Sequence, residues 1–158
     1  MRLYLLRHGI AEEQASGGDA QRKLTDEGKS KLSEVLKRAA KSGVKPGLVL
    51  TSPYLRAAET AEIAAKILEC PVAPAQTEAL VPYGTPQGVW DEVRAHKEVE
   101  QLMLSGHEPL LSQSVSFLLN SPALQVDMKK GAIISIEFQS FRVEPKGVLK
   151  WMLTPKLC

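Results

Sequence analysis

Short, unbroken hydrophobic runs recur along the chain, and each stops abruptly at polar, titratable or turn-forming residues. Leu3-Tyr4-Leu5-Leu6, Leu48-Val49-Leu50 and Leu102-Met103-Leu104 are the clearest. Apolar runs of this length without alternation suit strands buried on both faces. The segments between them change period. Over residues 26–41, Leu32, Val35, Leu36, Ala39 and Ala40 share one helical face. Thr25 is placed to cap that helix, Asp26 and Glu27 suit its first turn, and Ser42-Gly43 ends it. A second helix is predicted from Ser52 as N-cap and Pro53 at the first helical position to about Leu68, burying Ala57, Ala61, Ala64 and Leu68. Cys70-Pro71 closes it, and Val72-Ala73 reads as a short strand. Residues 77–86 read as loop, and residues 87–98 as a weaker helix. Pro109 opens a further helix with Leu110, Leu111, Val115, Leu118 and Leu119 on its apolar face. Ala132 to Phe138 and Val148 to Met152 read as an antiparallel edge pair joined through residues 142–147. Strands alternating with helices predict a single α/β domain over residues 1–158. Its architecture is a three-layer α/β/α arrangement around an open, mostly parallel sheet with an antiparallel edge strand.

Composition narrows the function classes. The chain has 158 residues, 44% of them hydrophobic and 24% charged, as in ordinary globular proteins. A formal net charge of +2 and few aromatics give no signal for nucleic acid. No apolar stretch approaches the length of a membrane span, and residues 1–6 are too short for a signal sequence. The two cysteines, Cys70 and Cys158, lie far apart without metal-ligand spacing, which predicts a reducing, cytoplasmic setting.

Candidate chemistry gathers at the strand ends. Arg7-His8-Gly9 follows the first run. Imidazole is a nucleophile and base near neutrality, and guanidinium is a fork that matches phosphoryl oxygens. Taken alone, His8 is equally well read as a strand-end histidine bonded to backbone. The next two junctions change the balance. Arg56 lies just inside the helix opened by Ser52-Pro53, and His107 lies just before Pro109. In open α/β sheets ligands bind beyond the carboxyl ends of the strands. Two arginines, two histidines and two helix N-termini converging there favour a polyoxygenated anion such as phosphate, with His8 as candidate nucleophile.

These residues carry a resemblance. Leu6-Arg7-His8-Gly9, Arg22-Lys23-Leu24-Thr25-Asp26-Glu27-Gly28, the stretch from Ser52 to Thr60 and Ser105-Gly106-His107-Glu108-Pro109 are similar, in order, to the motifs of the histidine phosphatase superfamily, the phosphoglycerate-mutase-like proteins. The short chain without a cap insertion most resembles the SixA-type phosphohistidine phosphatases. The resemblance implies that His8 attacks phosphorus and carries a covalent phosphoryl group. Arg7, Arg56 and a protonated His107 would hold the equatorial oxygens, and Arg22, Gly9 and Glu108 would contribute to substrate binding. No cofactor or metal is implied. The implied partner is a phosphohistidine-carrying protein, a phosphotransfer domain or a phosphocarrier.

Ester-cleaving relatives need a carboxylic acid to protonate the leaving oxygen. Here the corresponding segment, Thr77 to Gly84, contains one carboxylate, Glu78. A phosphohistidine can instead bring its own proton on the distal ring nitrogen and leave as neutral imidazole, so a site without a dedicated acid favours P–N over P–O cleavage. Two alternatives stay open: a small-molecule phosphomonoesterase using Glu78 as acid, and a non-catalytic phospho-ligand-binding module. The other conspicuous residues read as structural. His96 lies on a solvated helix face, Trp90 and Trp151 are packing residues, Cys158 is an exposed thiol, and Lys129-Lys130 is a solvated turn able to meet an acidic partner.

Overall fold

The computed structural model describes residues 1–158. Its ten principal elements are β1 (Arg2–Arg7), α1 (Asp26–Lys41), β2 (Leu48–Thr51), α2 (Leu55–Ile67), β3 (Ala75–Gln76), α3 (Pro86–Ala95), β4 (Gln101–Gly106), α4 (Leu110–Leu118), β5 (Ile133–Glu137) and β6 (Val148–Leu153). They form one six-stranded sheet in the order β3-β2-β4-β1-β5-β6. The first four strands in sequence run parallel, and β5 and β6 add antiparallel pairings at one edge.

The continuous runs are buried on both faces, as their composition requires. Leu3, Leu5, Leu50, Leu102 and Leu104 join the core under α3 and α4, with Trp90, Val93, Leu111 and Val115. The alternate residues Tyr4, Leu6, Val49 and Met103 face the opposite core, under α1 and α2, with Leu32, Leu36, Ala61 and Ala64. This one-residue alternation sorts the helices into two outer layers.

Several boundaries differ from the expectations. Ser52 and Pro53 are not the cap and first turn of α2. Ser52 N–H continues the sheet ladder to Ser105 C=O, which keeps Ser52 extended, and the helix begins two residues later with Tyr54 at the N-cap. The short strand lies at Ala75–Gln76, beyond Pro74, where it pairs with Leu50 and Thr51, and not at Val72-Ala73. Helix α3 starts earlier and stops earlier than residues 87–98. Thr85 caps it by accepting from Gly88 N–H, Pro86 opens it, and the chain turns at His96. Pro109 stands at the N-cap of α4, not inside it. The segment 77–86 holds a 3-10 turn at Glu78–Leu80.

Candidate active site

Three parallel strands end level. Arg7 is opposite Gly106, and Thr51 is opposite Ser105. The ladder extends one step further, with His8 N–H donating to Gly106 C=O and Ser52 N–H to Ser105 C=O, each at 3.0 Å. The residues immediately after β1, β2 and β4 are therefore His8, Ser52 and His107, set in a row. The two imidazole centroids are 5.2 Å apart, and His107 Nε2 lies 2.8 Å from Ser52 Oγ.

The tautomer of His8 is fixed by its neighbour. Its Nδ1 lies 2.7 Å from Gly9 C=O, and a carbonyl only accepts, so Nδ1 carries the proton. Nε2 then holds the free lone pair, and it makes no hydrogen bond within the protein. Burial first, then the charges of Arg56, Arg7 and Lys130, outweigh the Gly9 hydrogen bond and push the imidazole down to about 4. His8 is thus a neutral base with its nucleophilic nitrogen uncovered.

His107 is pushed lower, to about 3, by burial first and then by His8, Arg56 and Arg7. Burial of the imidazole, 1% exposed, and the nearby arginines thus disfavour its protonated form, while the Asp19 carboxylate acts the other way. Its Nε2 is engaged by Ser52, and its Nδ1 is buried without a partner. The edge of the Tyr54–His107 ring pair, 5.3 Å between centroids, closes one side.

The arginines are held without being used up. Arg7 donates from one terminal nitrogen to Met128 C=O at 2.8 Å. Arg56 donates to Asp19 C=O at 2.9 Å and to Asp19 Oδ2 at 3.2 Å. The Nε of each is buried and unpartnered. Arg22 is brought to the same place, donating to the other Asp19 carboxylate oxygen at 2.9 Å and from Nε to Glu12 C=O. The Asp19 carboxylate thereby ties Arg22 to Arg56. Hydrogen bonding from Arg22 holds its carboxyl below the usual carboxylate range, so it is no proton donor near neutrality.

The remaining expected residues occupy supporting positions. Gly9 N–H is bonded to Thr60 Oγ1 at 3.2 Å and its carbonyl to His8, so Gly9 orients the imidazole. Glu108, expected to contribute to substrate binding, accepts from Ser112 N–H at 2.8 Å and so covers a backbone donor in the first turn of α4. Glu78 is exposed in its 3-10 turn, which Thr77 N–H pins to Thr51 C=O at the end of β2, and its carboxylate forms no ion pair or hydrogen bond. No group of three or more His, Cys, Asp or Glu side chains comes together in a way that would hold a metal ion.

An imidazole with an unpartnered nitrogen thus stands with two arginines at the carboxyl end of a parallel sheet, in a chain similar to known proteins. Residues 3–113 match the family model of the Histidine phosphatase superfamily (branch 1). The chain belongs to that superfamily. A relative in Picosynechococcus sp., uncharacterised, is 32% identical over 148 residues, covering 91% of this chain and 89% of its own. Among solved structures, the protein histidine phosphatase SixA in complex with tungstate superposes with a TM-score of 0.87 at 26% identity over 99% of both chains. A mycobacterial glucosyl-3-phosphoglycerate phosphatase has a TM-score of 0.70 at 16% identity, over 94% of this chain and 96% of its own, a likeness of fold. The likeness to SixA extends to the paired antiparallel strands β5 and β6, which lie beyond the family-model match. Phosphatase chemistry and oxyanion binding are therefore the supported class of activity for this member of the superfamily.

Four contributors were not anticipated. Asp19 follows Gly17-Gly18, and its only sequence signal is the i,i+3 spacing to Arg22. Ser52 read as a cap and instead holds His107. Thr60 bonds Gly9 N–H while donating to Arg56 C=O, joining α2 to the strand end. Met128 holds Arg7 through a carbonyl, which no side-chain pattern reveals.

Proposed function

We propose that the chain is a phosphohistidine phosphatase acting on a protein partner through a phospho-His8 intermediate. The observation that carries this reading is the pairing of His8 Nδ1–H with Gly9 C=O. It leaves Nε2 as the attacking atom. As Nε2 bonds to phosphorus and the substrate P–N bond breaks, the electron pair returns to the departing imidazole, which keeps the proton on its distal nitrogen and leaves neutral. The charge left on phospho-His8 sits on a ring whose Nδ1–H remains bonded to Gly9. Water then attacks phosphorus, the bond to Nε2 breaks, and His8 returns to its starting tautomer while the water proton goes to phosphate or solvent.

Arg7, Arg56 and His107 meet the phosphoryl oxygens, and Arg22 stands behind Arg56 through Asp19. Positioning and charge stabilisation are most of what phosphoryl transfer requires. Two guanidiniums meet the charge that a divalent metal would otherwise neutralise, so turnover is metal-independent in this account. The absence of a poised acid supports P–N cleavage: the Asp19 carboxylate is ionised and tied up, and Glu78 is exposed. The pinning of the Glu78 turn to the end of β2 favours one second reading, a small-molecule phosphomonoesterase in which Glu78 protonates the leaving oxygen.

Rapid quenching of turnover with a histidine-phosphorylated protein tests the covalent step. Acid-labile, base-stable phosphate should appear on His8 and be absent from His8→Ala. Turnover by His8→Ala above a few per cent of wild type contradicts the mechanism.

A further inference from the structure

Beside the site lies a second concavity of about 670 Å³. Arg7 forms part of its wall, so it is continuous with the site. Its other charged walls are Lys31 on α1, Lys129 and Lys130 on the turn before β5, and Lys156 on the C-terminal 3-10 turn, against one carboxylate, Glu34. All four lysines are exposed. Lys31 pairs with Glu27 at 2.8 Å and Lys129 with Asp127 at 2.9 Å, whereas Lys130 and Lys156 have no carboxylate within ion-pair distance. Two exposed ammonium groups without a carboxylate partner, Lys130 and Lys156, therefore line this groove beside Arg7.

That place is built rigidly onto the nucleophile. Gly131 N–H lies 3.1 Å from Arg7 C=O and 3.0 Å from His8 C=O, and Arg7 itself reaches Met128 C=O. The lysine turn is therefore fastened to the end of β1. Gly131 has φ +79°, and a Cβ there would sit 3.3 Å from Pro155 Cγ, so a glycine lets the turn and the C-terminal segment close the groove.

We propose that this groove is the docking surface for the acidic face of the phosphohistidine-bearing protein. The inference rests on the phosphohistidine reading above and adds the partner's surface chemistry. Sites for small molecules are walled mainly by apolar side chains with a few fixed polar groups. In this groove only Ile10 and Pro155 are apolar side chains; the rest of the apolar lining is largely lysine stem, and five of the nine lining residues are cations. Its cations apart from Arg7 are lysines, compact charges on flexible stems that suit several spread carboxylates better than the forked grip arginine gives one phosphate. A partner whose phosphoryl group reaches Arg7 and His8 must lay its surrounding surface across the same wall. Complementary rim charge of this kind steers encounter and orients the partner, and salt screens it.

The test compares wild type with the double variant Lys129→Glu/Lys156→Glu on two substrates: a histidine-phosphorylated phosphotransfer domain of net negative charge, and free phosphohistidine. Orthovanadate affinity serves as the control for an intact site. On the protein substrate, KM should rise about tenfold or more, the size expected for reversing two rim charges, with kcat little changed. The wild-type KM should also climb with ionic strength more steeply than that of the variant. On free phosphohistidine the two enzymes should agree within about twofold. Equal KM values on the protein substrate overturn the docking surface, and so does an equal loss on both substrates. A wild type that cleaves neither phosphohistidine substrate faster than p-nitrophenyl phosphate strikes the phosphohistidine reading itself, and the docking inference falls with it.

Discussion

At the scale of single residues, the site separates one nucleophile from its electrostatic frame. Arg56 is 6% exposed and has a buried, unpartnered Nε. Arg56→Ala should weaken vanadate binding and cost roughly 10²–10³ in rate, the size of losing one preorganised donor to transition-state charge. Arg56→Lys should restore little, because an ammonium cannot reproduce the two bonds to Asp19 while still facing an oxyanion. Full rescue by lysine would reduce the role of Arg56 to net charge. The histidines make a second prediction. Both are held neutral, His8 down to about 4 and His107 down to about 3, against an ordinary value near 6.5. Between those limits the unfolded chain binds protons that the folded chain refuses. Stability should therefore be highest above about pH 6.5 and fall as the pH drops toward 4. NMR titration should find both rings uncharged at pH 5, and a midpoint near 6.5 for His8 would refute the buried, cation-flanked geometry.

At the scale of elements, function depends on three strands ending level and on the segments that lock their ends. Gly28 of α1 shows how tight that locking is: a Cβ there would lie 2.2 Å from Ile10 C=O, two residues past His8. Gly28→Ala must push helix and loop apart. It should cost roughly 1–3 kcal/mol, as overpacking of a close contact does, and lower kcat by displacing Gly9 and the imidazole. Denaturant melts together with turnover rates check both effects, and an unaltered midpoint contradicts the contact. The locking also explains what the chain discloses in one dimension. The hydrophobic runs locate β1, β2 and β4, and a common strand direction then places Arg7, His8, Arg56 and His107 together. The start of α2 was misplaced because Ser52-Pro53 has the composition of a helix opening while Ser52 is still paired in the sheet. Asp19 was missed because its importance lies in a bond to Arg56, 37 positions away. The lowered basicity of His107 was not legible because burial is a property of the packed molecule. The groove joins residues from both ends of the chain, and only the closed fold makes it visible.

At the scale of the whole molecule, a family fold, an oxyanion site and a basic flank combine into one account: a phosphoryl group enters on a protein surface, passes to His8 and leaves as phosphate. Because the arginines supply the positive charge, EDTA should leave activity unchanged; loss in EDTA that a divalent metal restores would contradict this frame. The central claim concerns the leaving group, since His8 could attack phosphorus in either an ester or a phosphoramidate. With no acid at the leaving atom, ester rates should depend steeply on leaving-group pKa, while phosphohistidine carries its own proton. The most direct measurement is a side-by-side comparison of kcat/KM for wild type and Glu78→Gln on a phosphohistidine protein, p-nitrophenyl phosphate and serine phosphate. The account predicts fast turnover of phosphohistidine, slow turnover of p-nitrophenyl phosphate, almost none of serine phosphate, and little change in Glu78→Gln. Efficient serine phosphate hydrolysis that collapses in Glu78→Gln would contradict it and make the chain a phosphomonoesterase.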